Sequence, residues 1–475
     1  MDKEGVIWSD NVEKVLDFIF RRVESIFFQK ESVEGIHREF QYHLAKVDNL
    51  KYMYSFISEG SITRRIKIFI SKKNKCMLAL DNNENDKEKI EKPQIVNGIY
   101  IPFFKPLDIY VPNRSKFWSG KEIFDLINRC VDENNIRLIR ELSKGNFHNY
   151  YILDILLADG QRVFVGLEYK KINKKNKNSR KIVPLLDDYE DEDIIPIYID
   201  RVDDKKTLIR GGAITTGKDF NILLIGCGSV GSNVVFQLCC SGFKRITIVD
   251  NDNMSEDNIY RHFLGKTRIK KDRNKAILMK DELDNRYDDT DIIAYDSDVF
   301  DLIENEKIDL KEYSLVISAM GDVNKERLLN KYILKAKIPV IYTWVEAYGL
   351  GGHAVLINKN QGCYNCLITD DLRCKVNFAG KSDKPFVQNF GGCLGTFTPY
   401  GGMDSMQTAI LASRLAQECL IKKVKRNKVM SWKGNEELFK EKGYVVDKSY
   451  YDFKENIGER KDIKFEGCCY CNGEV

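Results

Sequence analysis

Apolar residues along the chain fall into two patterns that divide it. From residue 221 onward short apolar runs recur, at Asn221 to Ile225, Ile246 to Val249, Leu315 to Ala319 and Val340 to Thr343, with Asp291 to Tyr295 as a further strand. Runs this short and continuous suit parallel strands covered on both faces. Helical segments separate them, at Ser229 to Cys240, Asp272 to Leu283 and Lys325 to Lys337. Strand and helix in alternation predict an α/β fold with a Rossmann-like, doubly wound, mostly parallel sheet over residues 201–475. Gly351 to Ile357 is a further strand candidate, and Ser405 to Lys422 a long helix.

The first 200 residues alternate differently and read as a separate α+β domain. Helical periodicity covers Asn11 to Phe28, and strand-like runs occupy Ile66 to Ile70 and Met77 to Leu80. Gly98 to Phe104 and Asp108 to Val111, followed by an amphipathic Gly120 to Asn134, suggest sheet and then helix. Tyr150 to Leu157 and Arg162 to Tyr169, joined through Asp159-Gly160, predict a β-hairpin, because Asp-Gly favours the turn such hairpins need. This domain has no glycine-rich loop and no paired CxxC, so its role is not legible. A stretch from Lys170 to Asp193, seven positive charges and then six negative ones, reads as a solvated linker.

Composition narrows the class of protein. At 475 residues and 43% hydrophobic content the chain holds two or three domains with real cores. A net charge of +4 from 75 basic and 71 acidic residues gives no argument for nucleic acid or membrane binding. No apolar run approaches 18 residues and the N-terminus lacks a signal-peptide order, so a cytoplasmic location is expected. Thirteen cysteines in that setting read as thiols and metal ligands rather than disulfides.

The chemistry gathers around Asn221 to Asp252. Gly226, Gly228 and Gly231 stand in GxGxxG spacing between a strand and a helix, and Asp250 ends the next strand 24 residues after the first glycine. The glycines permit a tight turn, close approach to phosphate and close helix packing, and the carboxylate can accept from ribose hydroxyls. Beyond it come Asp252, Asn258 and Arg261, then Lys275, then Asp322 after a strand. Two cations and an amide suit a triphosphate, and a carboxylate on the rim suits its Mg2+.

The segment from Asn221 to about Ala412 resembles the ThiF/MoeB/HesA superfamily of adenylating enzymes, which includes ubiquitin-activating enzymes. GCGSVGS, the D-x-D-x5-N-x-x-R pattern and the aspartate after a strand carry the resemblance. It implies that Asp250 holds ribose, that Asn258, Arg261 and Lys275 hold phosphates, and that Asp322 serves the Mg2+ and the attacking carboxylate. The implied reaction joins the C-terminal glycine carboxylate of a small β-grasp, ubiquitin-like protein to AMP from ATP. Family members also carry two CxxC pairs around zinc; here these are Cys363 with Cys366 and Cys468 with Cys471, with Cys469 an alternative to Cys468. Cys393 lies where family members keep an acyl-accepting cysteine, and Cys374 is its competitor.

The resemblance implies a conjugating enzyme as a further partner, and a homodimer. No rhodanese-like segment follows, which leans toward ubiquitin-like conjugation of the bacterial kind. Sulfur-carrier activation in thiamine or molybdopterin pathways is the alternative, and an inactive scaffold a second one. No arginine-bearing helix is evident before Asn221; Arg201 and Arg210 are the nearest candidates to reach a partner's site. A degenerate second adenylation fold in the first 200 residues is also open.

Overall fold

The computed structural model describes residues 16–17, 19–21 and 40–472, apart from 72–75, 82–92, 108–111, 113–116, 144–149, 159, 170–182, 184, 187–193, 215–218, 267–272, 288–289, 359–361 and 390–395. Most of the expected helix at Asn11 to Phe28, the run at Asp108 to Val111 and most of the charged stretch at 170–193 lie outside the described residues. Two compact units are present, Met1–Thr207 and Leu208–Val475.

The first unit is a closed barrel. Its strands are β1 (Lys51–Ser55), β2 (Arg64–Ile70), β3 (Met77–Asp81), β4 (Gln94–Pro102), β5 (Tyr150–Leu156), β6 (Arg162–Tyr169) and β7 (Ile194–Arg201), in the order β1-β3-β2-β4-β5-β6-β7. Closure comes from β7 pairing parallel with β1. Every strand sends a side chain into one shared core, including Met53, Ile68, Ala79, Tyr100, Ile152, Phe164 and Ile197. Alternate residues such as Ile99, Leu153 and Val165 face a second core built on the helices Gly120–Cys130 and Glu133–Leu142. The hairpin forms as expected, with Leu156 opposite Arg162 and Gly160 at φ +82°.

Two expectations are corrected here. The amphipathic segment at Gly120 to Asn134 is not one helix. Val131 is extended and Asp132 caps a new helix by accepting from the Asn135 amide. A short acidic residue in extended conformation offers the orphan amides a better partner than continuation would. The closed barrel, with four antiparallel and three parallel pairings, leaves no second adenylation fold among the described residues of this unit.

The second unit holds β8 (Asn221–Ile225), β9 (Arg245–Val249), β10 (Asp291–Tyr295), β11 (Leu315–Ser318), β12 (Val340–Val345) and β13 (Gly351–Ile357). Two short strands, β14 (Gln388–Asn389) and β15 (Thr396–Phe397), pair with each other, and β16 (Lys428–Lys433) and β17 (Ile457–Glu459) complete the main sheet. The order is β10-β9-β8-β11-β12-β13-β16-β17. From β10 to β12 pairing is parallel; β13, β16 and β17 are antiparallel. The sheet is therefore mixed, with four parallel pairings from β10 to β12 and three antiparallel ones from β12 to β17. β16 and β17 went unread because β16 alternates only weakly and β17 carries no apolar pattern.

Continuous apolar runs are explained by the two faces. Ile222 and Leu224 pack toward the helices Ser229–Cys240, Lys275–Arg286 and Gly402–Leu420, whereas Leu223 and Ile225 pack toward Val299–Glu304 and Val323–Ala336. Strand order reverses at β8, whose neighbours β9 and β11 continue the chain in opposite directions. Ligands of open α/β sheets bind at such a switch point. No helix among the described residues is long and apolar enough to cross a membrane.

The glycine turn after β8 leaves no room for side chains beneath it. A Cβ on Gly231 would lie 1.8 Å from the Gly226 carbonyl oxygen, whereas one on Gly228 would meet nothing within 4 Å. Gly231→Ala should therefore cost roughly 3 kcal/mol, the upper end for overpacking, because backbone cannot yield. Gly228→Ala should leave the melting temperature almost unchanged. Thermal unfolding followed by circular dichroism checks both, and equal shifts would contradict this account.

Candidate functional site

A cleft of about 220 Å³ opens at the C-terminal ends of β8, β9, β10 and β11. Its lining includes Gly226, Gly228, Asp250, Asp252, Lys275 and Asp322, six of the residues that the sequence singles out. Gly226 takes φ +87° and sits so close to Ala319 that a Cβ would lie 2.8 Å from that carbonyl oxygen. Gly228 begins the helix Ser229–Cys240 with no side-chain cap. Its first amides are thus open to an anion, where the helix dipole favours negative charge. Gly231 lies under the turn rather than in the cleft.

Asp250 serves the turn as well as the cleft. Its Oδ2 accepts from the Cys227 amide at 2.5 Å and its Oδ1 from the Asp252 amide at 2.7 Å. Burial raises its pKa above the ordinary carboxylate value, although these amides and Lys275 favour the charged form. Lys275 is buried, and its Nζ donates to Asp252 Oδ2 at 2.9 Å. Asn274 caps that helix and donates to the Asp250 and Asp252 carbonyls and to Asp296, tying β9's exit to β10's. Asp322 Oδ1 caps the helix Val323–Ala336 by accepting from Asn324 and Lys325 amides, which leaves Oδ2 for another partner.

Asn258 and Arg261 are not among the cleft-lining residues. Asn258 closes a local cap with the Ser255 amide and hydroxyl. Arg261 donates to the Thr398 carbonyl at 3.2 Å and lies over the Tyr400 ring at 4.8 Å. Tyr400 in turn meets the Ser229 hydroxyl at 2.7 Å, so this arginine fastens the segment after residue 395 to the start of the glycine-turn helix. Of the two arginines proposed to reach a partner, Arg201 is buried between Asp203 and Glu59 and is corrected; Arg210 is exposed at a helix end.

Several contributors were missed. Lys325 and Asp298 line the cleft 3.8 Å apart, and Asp298 was readable only as a helix cap before Val299. His262 gave no signal at all. It is buried, accepts from the Leu264 amide at Nδ1 and so donates from Nε2 to the Cys227 carbonyl at 2.8 Å. Burial lowers its pKa to about 4, so the neutral ring holds the turn.

Cys363, Cys366, Cys468 and Cys471 place their sulfurs within 4.8 Å of one another. Individual separations are 3.5 Å for Cys363 to Cys468, 3.7 Å for Cys366 to Cys471 and 3.8 Å for Cys468 to Cys471. A tetrahedral ion with metal–sulfur bonds near 2.3 Å needs edges of about 3.8 Å, so the four thiols fit such a group. Amides of Cys363 and Cys468 donate to the sulfurs of Cys366 and Cys471. Cys469 is exposed and outside the cluster. Cys374 is buried among apolar neighbours, and burial pushes its thiol up to about 12, a poor setting for a nucleophile. Cys393 lies outside the described residues.

Fold and cleft together define a nucleotide-binding α/β domain. Residues 211–440 match the ThiF family, and this domain belongs to the ThiF/MoeB superfamily of adenylating enzymes that also includes the ubiquitin-activating type. The chain is 28% identical over 146 residues to SUMO-activating enzyme subunit 2 of Dictyostelium discoideum, covering 30% of this chain and 22% of that protein. It is 26% identical over 195 residues to "Adenylyltransferase and sulfurtransferase MOCS3" of Aedes aegypti, covering 40% and 41%. The matches thus span under half the length of these relatives. Among solved structures, Escherichia coli MccB with MccA-N7isoASN has a TM-score of 0.38 at 18% identity, over 54% of this chain and 67% of that one.

His262 makes the turn sensitive to acid. Its folded pKa lies below the ordinary value, so nothing is lost above pH 6.5, and stability falls as pH drops from there toward 4. At pH 5 this amounts to roughly 2 kcal/mol. His262→Gln, which can still bridge both backbone groups, should lose less stability between pH 7 and 5 than the wild type does. Parallel losses in chemical denaturation at the two pH values would refute this.

Proposed function

We propose that this chain uses ATP and Mg2+ to adenylate the C-terminal glycine carboxylate of a small ubiquitin-like protein and then takes the acyl group as a thioester on Cys393 for a conjugating enzyme. The observation that carries the reading is the meeting of the open glycine turn, Asp250, the Lys275–Asp252 pair and Asp322 in one cleft. In the reaction a carboxylate oxygen attacks the α-phosphorus, the bond to the bridging oxygen breaks, and pyrophosphate leaves. That step requires positioning and charge neutralisation rather than a covalent catalyst.

In this reading Asp250 would take the ribose, and the uncapped amides after Gly228 the phosphate. Lys275 would share its charge between Asp252 and phosphate; Arg261 joins it only if the segment around Thr398 and Tyr400 rearranges, and Asn258 only if it leaves its cap with Ser255. The lining carries four carboxylates, Asp250, Asp252, Asp298 and Asp322, against two lysines, Lys275 and Lys325. A polyphosphate is therefore repelled unless a cation accompanies it. Mg2+ would supply that charge, with Asp322 its holder. Zinc at Cys363, Cys366, Cys468 and Cys471 would tie two distant segments together. A homodimer and a conjugating enzyme belong to the same proposal, as does a cytoplasmic site of action.

The purified chain, mixed with small β-grasp proteins ending in glycine, should exchange radiolabelled pyrophosphate into ATP only with its partner. Lys275→Ala and Asp322→Ala should each lose about 2 to 4 kcal/mol of transition-state stabilisation. Exchange that survives both would sink the assigned roles. A covalent adduct sensitive to hydroxylamine and to reductant supports a thioester; one sensitive to reductant alone supports sulfur-carrier chemistry; and Cys393→Ala should abolish it while exchange persists.

Metal analysis should return one zinc per chain. Cys363→Ser should release it with a large drop in melting temperature, since binding at such sites is folding free energy of about 10 kcal/mol. A metal-free chain of unchanged stability would remove zinc from the proposal.

A further inference from the structure

The two halves of the thiol cluster are supported differently. Cys468 and Cys471 are partly exposed, and the bonds of their turn are internal: the Cys468 amide donates to Cys471 Sγ at 3.2 Å and the Cys471 amide to the Cys468 carbonyl at 3.1 Å. Cys363 and Cys366 are buried, with a tight turn over Tyr364–Leu367 between and beyond them. This turn is gripped from outside. The Tyr364 amide donates to Asn330 Oδ1 at 3.0 Å, and Arg327 Nε donates to Asn365 Oδ1 at 3.2 Å. Both residues between the two thiols are therefore held by one helix, Val323–Ala336, and residues three apart on a helix share a face. On its other side the Tyr364 ring lies 4.5 Å from the ring of Tyr342 in β12.

The grip costs stability that packing alone would not require. The buried positions of the helix are Glu326, Leu329, Asn330 and Ile333, and an apolar side chain at residue 330 would fill the space without desolvating an amide. Asn330 is 1% exposed, and its Nδ2 has no hydrogen-bond partner among the described residues. Because Oδ1 is bonded to the amide that follows Cys363, the orphaned donor of the same carboxamide lies beside that residue. Four thiolates around a divalent ion keep a net negative charge, which favours nearby N–H donors and cations. Arg327 brings a cation to the same turn, and Lys375 Nζ donates to the Cys366 carbonyl at 3.0 Å.

We propose that Arg327 and Asn330 are positioning residues for the metal ligands: they hold the Cys363–Cys366 turn in ligating shape, so that half of the site is built before the metal binds. The proposal rests on the reading that the four thiols hold zinc.

Zinc affinity of the full chain, read by competition with a chromophoric chelator, tests it without ATP or a partner protein. Arg327→Ala and Asn330→Ala should each weaken zinc binding by ~10-fold, the scale for losing the group that orients a metal ligand. Cobalt(II) in place of zinc reports the shape of the site, and its visible absorption bands should shift in both variants. Tyr332→Ala is the control, because it loosens the same helix where the ring packs on Phe300 and the hydroxyl donates to Glu304. It should lower the melting temperature yet leave zinc affinity and the cobalt spectrum unchanged. If both Arg327→Ala and Asn330→Ala bind zinc like the wild type, or if Tyr332→Ala weakens binding as much as they do, the proposal is overturned and the reading of the four thiols stands. If the wild type binds no zinc, both are overturned. Should Asn330→Ala not fold, Arg327→Ala, at a half-buried position, decides alone.

Discussion

Everything at the cleft depends on how closely three backbone segments approach where β8 and β11 part. Gly226 lies against Ala319 and Met320, and Gly231 lies against Gly226. With any side chain at either glycine, the strand-to-helix turn could not close on the β11 wall. Once closed, the turn is held from two sides: Asp250 accepts from the Cys227 amide and His262 donates to the Cys227 carbonyl. One peptide group on each side of Cys227 is thus fixed by a buried titratable side chain. The amides that follow Gly228 are presented to the cleft as a consequence.

The electrostatics follow from the same packing. Asp250 is buried because it serves the turn, and burial makes its charge costly. Lys275 offsets that cost from nearby while paired with Asp252. The two lysines of the lining are not equivalent. Lys275 is mostly enclosed and held at 2.9 Å, whereas Lys325 is half-exposed and 3.8 Å from Asp298. A preorganised cation acts at a developing charge without reorganisation, and a loosely paired one must first leave its partner. That difference supports Lys275 as the principal phosphate contact.

Much of the second unit was legible because its rules are local. Asn221 to Ile225 is β8 residue for residue, since an apolar run bounded by glycine has few alternatives in a sheet covered on both faces. The cysteine cluster was legible from its two CxxC pairs together with the family resemblance, although its halves are 105 residues apart. What escaped depends on contacts distant in sequence. β16 is a strand because β13 and β17 flank it, and His262 matters only because the chain brings it under Cys227. The barrel was hidden for the same reason: its closing pair joins β1 to β7 across the whole unit. Asn258 and Arg261 show the limit of motif reading, because spacing identified them but not the local partners they keep in this structure.

Those local partners bear on how the two chemical steps could be linked. The segments that flank Cys393 on either side pair with each other, Gln388 with Phe397 and Asn389 with Thr396. From that pair the chain runs to Thr398, held by Arg261, and to Tyr400, which meets Ser229 in the first turn of the helix Ser229–Cys240. Arg261 therefore has two possible occupations: the carbonyl and ring of this segment, or a phosphate. It cannot fully satisfy both, because a guanidinium stacked on Tyr400 must turn away to reach an anion. The competition for one guanidinium thus ties the occupancy of Arg261 to the segment from Thr398 to Tyr400.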